Sequence, residues 1–140
     1  MTQFHGELRV STRGKGLYEI TRDIARWLGQ QKVRDGLLTI FIRHTSASLV
    51  IQENADPDVR RDLSEFFERI APENTPWFRH TTEGPDDMPS HIRAALTSAQ
   101  LSIPVLDARM ALGTWQGIYV FEHRSEPQIR HVITHIIGDS

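Results

Sequence analysis

No cysteine occurs among the 140 residues of this chain. That excludes disulfides, thiolate nucleophiles and cysteine-held zinc, and it agrees with a reducing cytosol. No apolar run approaches the ~18 residues of a membrane span. The opening Met-Thr-Gln-Phe-His-Gly-Glu lacks the basic start and apolar core of a signal peptide. The expectation is a cytoplasmic protein without a membrane partner. Charge of one sign is scarce too: the formal net charge of −2 argues against holding a polyanion by bulk charge, so no nucleic-acid partner is expected. Repeats, low-complexity tracts and linkers are absent. So are a G-x-S-x-G elbow and a dinucleotide fingerprint, and Gly14-Lys15-Gly16 is too short for a phosphate loop and reads as a turn.

What remains is 39% hydrophobic and 24% charged, the balance of one globular domain spanning residues 1–140. The pattern is mixed α and β. Phe4 to Thr12 reads as a first strand. Thr21 caps a short helix with Ile24, Trp27 and Leu28 on one face. Asp35-Gly36 breaks it before a strong β-run from Leu37 to His44, and Ala47 to Glu53 follows as a strand. Asp56-Pro57 starts a helix in which Val59, Leu63, Phe66, Phe67 and Ile70 recur at helical spacing; Pro72 and Pro76 end it. Glu73 to Pro89 is irregular. A short helix follows, with Ile92, Ala95, Leu96 and Ala99 expected inward. Strands at Leu101–Leu106, Ile118–His123 and Gln128–Ile137 close the chain, with a turn near Asp107-Ala108-Arg109.

Polar groups set beside apolar runs carry the functional argument, because a buried polar group costs free energy unless it is partnered. Alternation puts Leu38, Ile40, Ile42 and His44 on one face, so a core-facing strand ends in an imidazole followed by the hydroxyls of Thr45, Ser46 and Ser48. Either His44 is a hydrogen-bonded strand end or it belongs to a site. Glu53 closes the series Ala47, Leu49, Ile51 in the same way, as a base or metal ligand. Asp56 is a helix cap. His80 and His91 bracket the irregular segment, and His91 falls in the first turn of its helix, where a phosphate is well placed. Asp87 either caps that helix or joins the histidines in a metal or acid/base cluster. Arg93 and Arg124 are either phosphate forks or surface arginines. His131 and His135, alternating with Ile133 and Ile137, suit a subunit contact or a packed face. In Leu112-Gly113-Thr114-Trp115-Gln116-Gly117, Trp115 either plugs the core or, with Gln116, contacts a flat heterocycle. Three such segments in one small domain suggest a single site.

His-Thr-Ser-Ala-Ser at 44–48, Gln-Glu-Asn-Ala-Asp at 52–56, His80, Asp-Met-Pro-Ser-His-Ile-Arg at 87–93, Ile-Pro-Val at 103–105 and Leu-Gly-Thr-Trp-Gln at 112–116 resemble the YjbQ-like proteins, a family of bacteria and archaea often described as secondary thiamine-phosphate synthases. The resemblance runs through nearly the whole chain in order. It implies an α+β fold with a mixed, strongly curved β-sheet and three short helices, assembled as a homotrimer. It implies a cytosolic transferase that joins a pyrimidine pyrophosphate to a thiazole phosphate. Catalytic roles then fall to His44, Glu53 and His91, and substrate contacts to Thr45, Ser46, Arg93, Thr114, Trp115 and Gln116. The resemblance also implies a site for a divalent metal, Mg or Zn, at His44, His80 and His91, with Asp87 as a further ligand. The family pattern to which the resemblance points has His-x-His in many members where this chain has Pro89-Ser90-His91, and proline ligates no metal. The alternatives are a metal-assisted hydrolase of a small phosphorylated or heterocyclic metabolite, and a non-catalytic metabolite-binding protein.

Overall fold

Eight strands and three helices alternate along the computed structural model, which describes all residues from Met1 to Ser140. In order they are β1 (Thr2–Thr12), β2 (Gly16–Glu19), α1 (Thr21–Gly29), β3 (Asp35–Ile42), β4 (Ala47–Glu53), α2 (Pro57–Ile70), α3 (Asp87–Leu96), β5 (Gln100–Leu106), β6 (Arg109–Met110), β7 (Gln116–Glu122) and β8 (Gln128–Asp139). The strands form a five-stranded sheet, β1-β8-β3-β5-β6, and a three-stranded sheet, β2-β7-β4. The class is α+β with a curled sheet, as the sequence implies. Within it every pairing is antiparallel rather than mixed. The reason is legible in β3: Leu38, Ile40 and Ile42 are buried while Leu37 and Phe41 lie open. That one-sided burial marks an antiparallel sheet; parallel strands are covered on both faces.

The buried face of β3 meets Val132 and Ile136 of β8, Ile103 and Val105 of β5, Ile118 and Val120 of β7, and Ile24 and Leu28 of α1 in one core. Gly36 and Gly138 sit opposite each other where β3 and β8 cross-pair. A methyl group on Gly36 would collide with the Ile137 carbonyl, and one on Gly138 with the Asp35 carbonyl. Gly36→Ala is therefore expected to cost about 1–3 kcal/mol by overpacking against backbone, measured as a lowered midpoint of urea unfolding.

Two helices depart from expectation at the level of side chains. Thr21 does not cap α1. It is the first helical residue, and its hydroxyl accepts the Ile118 N–H (2.8 Å) and donates to Glu19 (2.9 Å), tying the helix to β7. Asp56 does cap α2, accepting from the Asp58 N–H at 2.9 Å with Pro57 next in line. In α3 the inward face is polar: Asp87, Pro89, Ser90 and Arg93 are buried, whereas Ala95 and Leu96 are exposed and Ala99 lies open beyond the helix. Helical apolar spacing misplaces this face because its polar groups find distant partners. Arg93 donates to the Ala71 carbonyl at 3.0 Å and pairs with Glu68 at 3.3 Å.

Candidate metal site

Asp87 and His91 lie four residues apart on α3, so they share one face of the helix. His80 reaches the same point from the irregular segment before it. Asp87 Oδ2 accepts from His80 Nε2 at 2.7 Å and faces His91 Nε2 at 3.0 Å. The three ligating atoms all lie within 4.8 Å of one another.

The tautomer of His91 is set by its other nitrogen. Nδ1 lies 2.9 Å from the Thr45 carbonyl, which only accepts, so Nδ1 carries a hydrogen. In the neutral ring Nε2 is then a lone pair pointed at a carboxylate. Two acceptors 3.0 Å apart need a cation between them, a proton or a metal ion. An imidazole oriented by a backbone carbonyl through its far nitrogen is the usual support for a metal-bound histidine. The donor set of two imidazole nitrogens and one carboxylate oxygen fits a zinc-class ion better than magnesium, which prefers oxygen ligands.

Arg124 buttresses the cluster. Its Nη1 donates to Asp87 Oδ1 at 2.6 Å, its Nε to Asp86 Oδ2 at 3.0 Å and its Nη2 to the Glu83 carbonyl at 2.9 Å. The Ser125 N–H adds 2.8 Å to the same Asp86 oxygen. Burial alone would push the Asp87 carboxyl up, but the hydrogen bond from His80 and the charges of His91 and Arg124 outweigh it and hold Asp87 below the usual carboxylate range. The reciprocal hydrogen bond to Asp87 raises His80 above the usual histidine range. Beside His80 opens a cavity of about 350 Å³ walled by Phe78, Met88, Thr75 and Thr81. It is large enough for a small ring.

A second polar cluster lies under the His44 loop. Glu122 and Arg130 are buried and paired: Arg130 Nε donates to Glu122 Oε1 at 2.7 Å and its Nη2 to Glu122 Oε2. The same Nη2 donates to the Ser46 hydroxyl at 2.9 Å and to the Ser46 carbonyl at 3.1 Å. Thr12 adds its hydroxyl to Glu122 at 2.6 Å. His44 is held at the rim. Its Nε2 accepts the His131 N–H at 2.9 Å, and its Nδ1 stands 3.3 Å from Arg130. Burial first, and the Arg130 charge second, keep its pKa low.

The expected single site thus divides. His80, Asp87 and His91 come together. His44 does not join the three ligating atoms, because its Nε2 lone pair is used by a backbone amide; its neighbour Thr45 instead orients His91. Ser46 serves Arg130. Arg93 is 2% exposed beneath α3, spent on Ala71 and Glu68, and Arg124 is spent on the two aspartates. Glu53 sits at the far end of β4, where its Oε2 accepts the Ala55 and Asp56 N–H groups and shapes the turn into α2. Register explains the distance: Ala47 pairs with Glu122, but Glu53 pairs with Gln116. Thr114, Trp115 and Gln116 therefore lie at the opposite end of β7 from Arg124, roughly 25 Å away at the rise of a strand.

The sequence reading missed Glu122, Arg130 and His123 as members of these clusters. Burial pushes His123 down to about 3, helped by the charge of Arg93, so it is neutral. Its Nε2 lies 2.9 Å from the Ser48 hydroxyl, which takes a 2.6 Å hydrogen bond from Thr97. Ser48 and His123 are 1% and 0% exposed, so this pair lies within the core. The signal for Glu122 was its alternation with Ile118 and Val120, the series that marked His44 and Glu53.

Residues 6–139 match the family described as UPF0047 protein YjbQ-like. A UPF0047 protein of Synechocystis is 50% identical over 132 residues, covering 94% of this chain and 90% of that one. The UPF0047 protein YjbQ of Escherichia coli O157:H7 is 41% identical over 133 residues, covering 94% and 96%. A crystal structure of a conserved hypothetical protein from Thermus thermophilus superposes with a TM-score of 0.84 at 32% identity, covering 94% and 99%. A protein of unknown function from Sulfolobus solfataricus gives a TM-score of 0.90 at 22% identity over 99% of both chains, which shows the shared fold.

Proposed function

We propose, from the premise that this chain belongs to the UPF0047 YjbQ-like family, that it is a metal-dependent hydrolase of a small phosphorylated heterocyclic metabolite. The observation that carries this reading is the convergence of His80 Nε2, Asp87 Oδ2 and His91 Nε2, with the His91 tautomer fixed by Thr45. When bound there, a zinc-class ion supplies a Lewis acid for a phosphoryl oxygen and a water activated at neutral pH. Arg124 and Asp86 hold Asp87 in its ligating position, and the carbonyl of Thr45 holds His91. Phe78 and Met88 offer apolar walls for a ring beside His80. Arg124 and Arg93 are engaged within the protein, whereas Arg79, next to His80 in the chain, is exposed and pairs with no carboxylate.

The ring-sized cavity beside His80 also favours a second reading, the thiamine-phosphate synthase-like transfer. Loss of pyrophosphate asks for several cationic donors on the leaving group, and Arg79 is the unpaired guanidinium that adjoins His80 in the chain. The outer face of the large sheet pairs Leu37 with Ile137 and Phe41 with Ile133, all apolar and partly open, and it supports a homotrimer as part of the proposal. A cytoplasmic location belongs to the same proposal and rests on the cysteine-free sequence. No helix is long and apolar enough to cross a membrane.

The test is release of phosphate from a panel of heterocyclic phosphate esters by zinc-loaded protein, beside an assay for thiamine phosphate from its two precursors. Turnover of an ester that His91→Ala abolishes supports the hydrolase; thiamine phosphate formation lost in the same variant transfers the assignment to the synthase. Tight ligand binding with no turnover makes the protein a metabolite binder. The proton on His80 competes with the metal, and its pKa is raised. Zinc affinity is therefore expected to fall as pH drops through and below that raised value, with proton release on binding. Calorimetry in buffers of different ionisation enthalpy measures both.

A further inference from the structure

The Leu-Gly-Thr-Trp-Gln-Gly segment has no part in the metal cluster, yet it is firmly built. Gln116 folds back so that its Oε1 accepts the Gly113 N–H at 2.8 Å, while its own N–H donates to the Gly113 carbonyl at 3.1 Å. The Trp115 carbonyl accepts the Asn54 N–H at 2.9 Å. These bonds fix the backbone on both sides of Trp115, and the indole they display is 61% exposed. A rigid turn that presents a bare tryptophan pre-organises a contact surface and spends little entropy on binding.

The indole borders a cleft of about 780 Å³ between this turn and α1. That lies within the size range of sites for small molecules. Across it stand Arg22, Arg26, Glu19 and Asn54. Arg26 is tied to Asp23 at 3.2 Å, but Arg22 is exposed and pairs with no carboxylate. Glu19 is fixed on the floor: its Oε2 accepts from Thr21 at 2.9 Å and from Asn54 Nδ2 at 3.2 Å. Gly117 makes this possible, because a methyl group there would stand 2.7 Å from that same Glu19 oxygen.

The geometry points to a second ligand site, separate from the metal cluster, for a planar heterocycle that carries a phosphate ester and is of mononucleotide size. The ring stacks on Trp115, the phosphate meets the free guanidinium of Arg22, and hydroxyl or amino donors reach Glu19. The cleft lies roughly 25 Å along β7 from Arg124, so its ligand does not reach the metal site of the same chain.

The probes are AMP, adenosine and inorganic phosphate, titrated into the intact protein by calorimetry and tryptophan fluorescence. AMP is expected to bind saturably and quench Trp115. Trp115→Ala weakens AMP and adenosine alike by about tenfold or more, and Trp115→Phe restores part of it. Arg22→Gln weakens AMP about tenfold and leaves adenosine unchanged. His91→Ala leaves all of this intact, which separates the site from the metal reading. The inference is overturned if AMP does not saturate, if its binding ignores Trp115→Ala, or if phosphate alone binds as tightly as AMP. A single-stranded oligoadenylate that binds more tightly than AMP would overturn the assignment to a free, mononucleotide-sized ligand.

Discussion

Asp87→Asn is expected to weaken zinc binding by more than about 100-fold, because removing even an outer-shell partner of a metal ligand costs 10–100-fold. Asn keeps the shape but offers Arg124 no charge and His80 no anion. Asp87 has 3% of its side chain exposed and anchors Arg124 at 2.6 Å. A stability loss of about 1–3 kcal/mol therefore accompanies the lost affinity. Zinc calorimetry and denaturant unfolding on the same sample separate the two effects. Unchanged zinc affinity in a folded Asp87→Asn protein would remove this carboxylate from the site. The linkage carries a sign. The depressed carboxyl of Asp87 contributes stability above its unfolded pKa and loses it as pH falls through its folded value. The variant lacks this titration, so the share of the acid limb that Asp87 supplies should be missing and the profile flatter below the unfolded pKa.

Glu122→Gln is expected to have the largest effect on stability. Glu122 is 0% exposed and Arg130 4%, and the carboxylate accepts from Arg130 Nε and Nη2 and from Thr12. Neutralising one partner leaves a buried charge uncompensated, at about 3–5 kcal/mol. For a domain of this size that lowers Tm by about 10–15 °C. Arg130 also carries Ser46 and stands beside His44 in the loop that orients His91 through Thr45, so zinc affinity should drop as well. The double variant Glu122→Leu with Arg130→Met should recover much of the stability without recovering the loop. A loss below about 1 kcal/mol in Glu122→Gln would mean that the guanidinium finds other partners.

The sequence made the alternation of β3, the cap of α2 and the three C-terminal strands β5, β7 and β8 readable, because each is a local pattern. Asp87, His80 and His91 were also readable as a cluster. No compact ligand spacing marked it in the sequence reading, although the four-residue step from Asp87 to His91 places both on one helical face. The inward face of α3 was not readable, because Arg93 finds its buried partners only once Ala71 and Glu68 arrive from α2 and the residue after it. The joining of Glu53 to His44 in one site was an error the chain could have prevented. The seven-residue strand Ala47–Glu53 lies between them and spans roughly 20 Å. Trp115 shares the end of Glu53 for the same reason, since strand register and not proximity in motif order sets the position of each segment.

The most direct test is a crystal of the protein soaked in zinc and measured at the zinc absorption edge. The account predicts one anomalous peak per chain, bounded by His80 Nε2, Asp87 Oδ2 and His91 Nε2 and missing in His91→Ala. A peak on other residues, or none at saturating zinc, would contradict it.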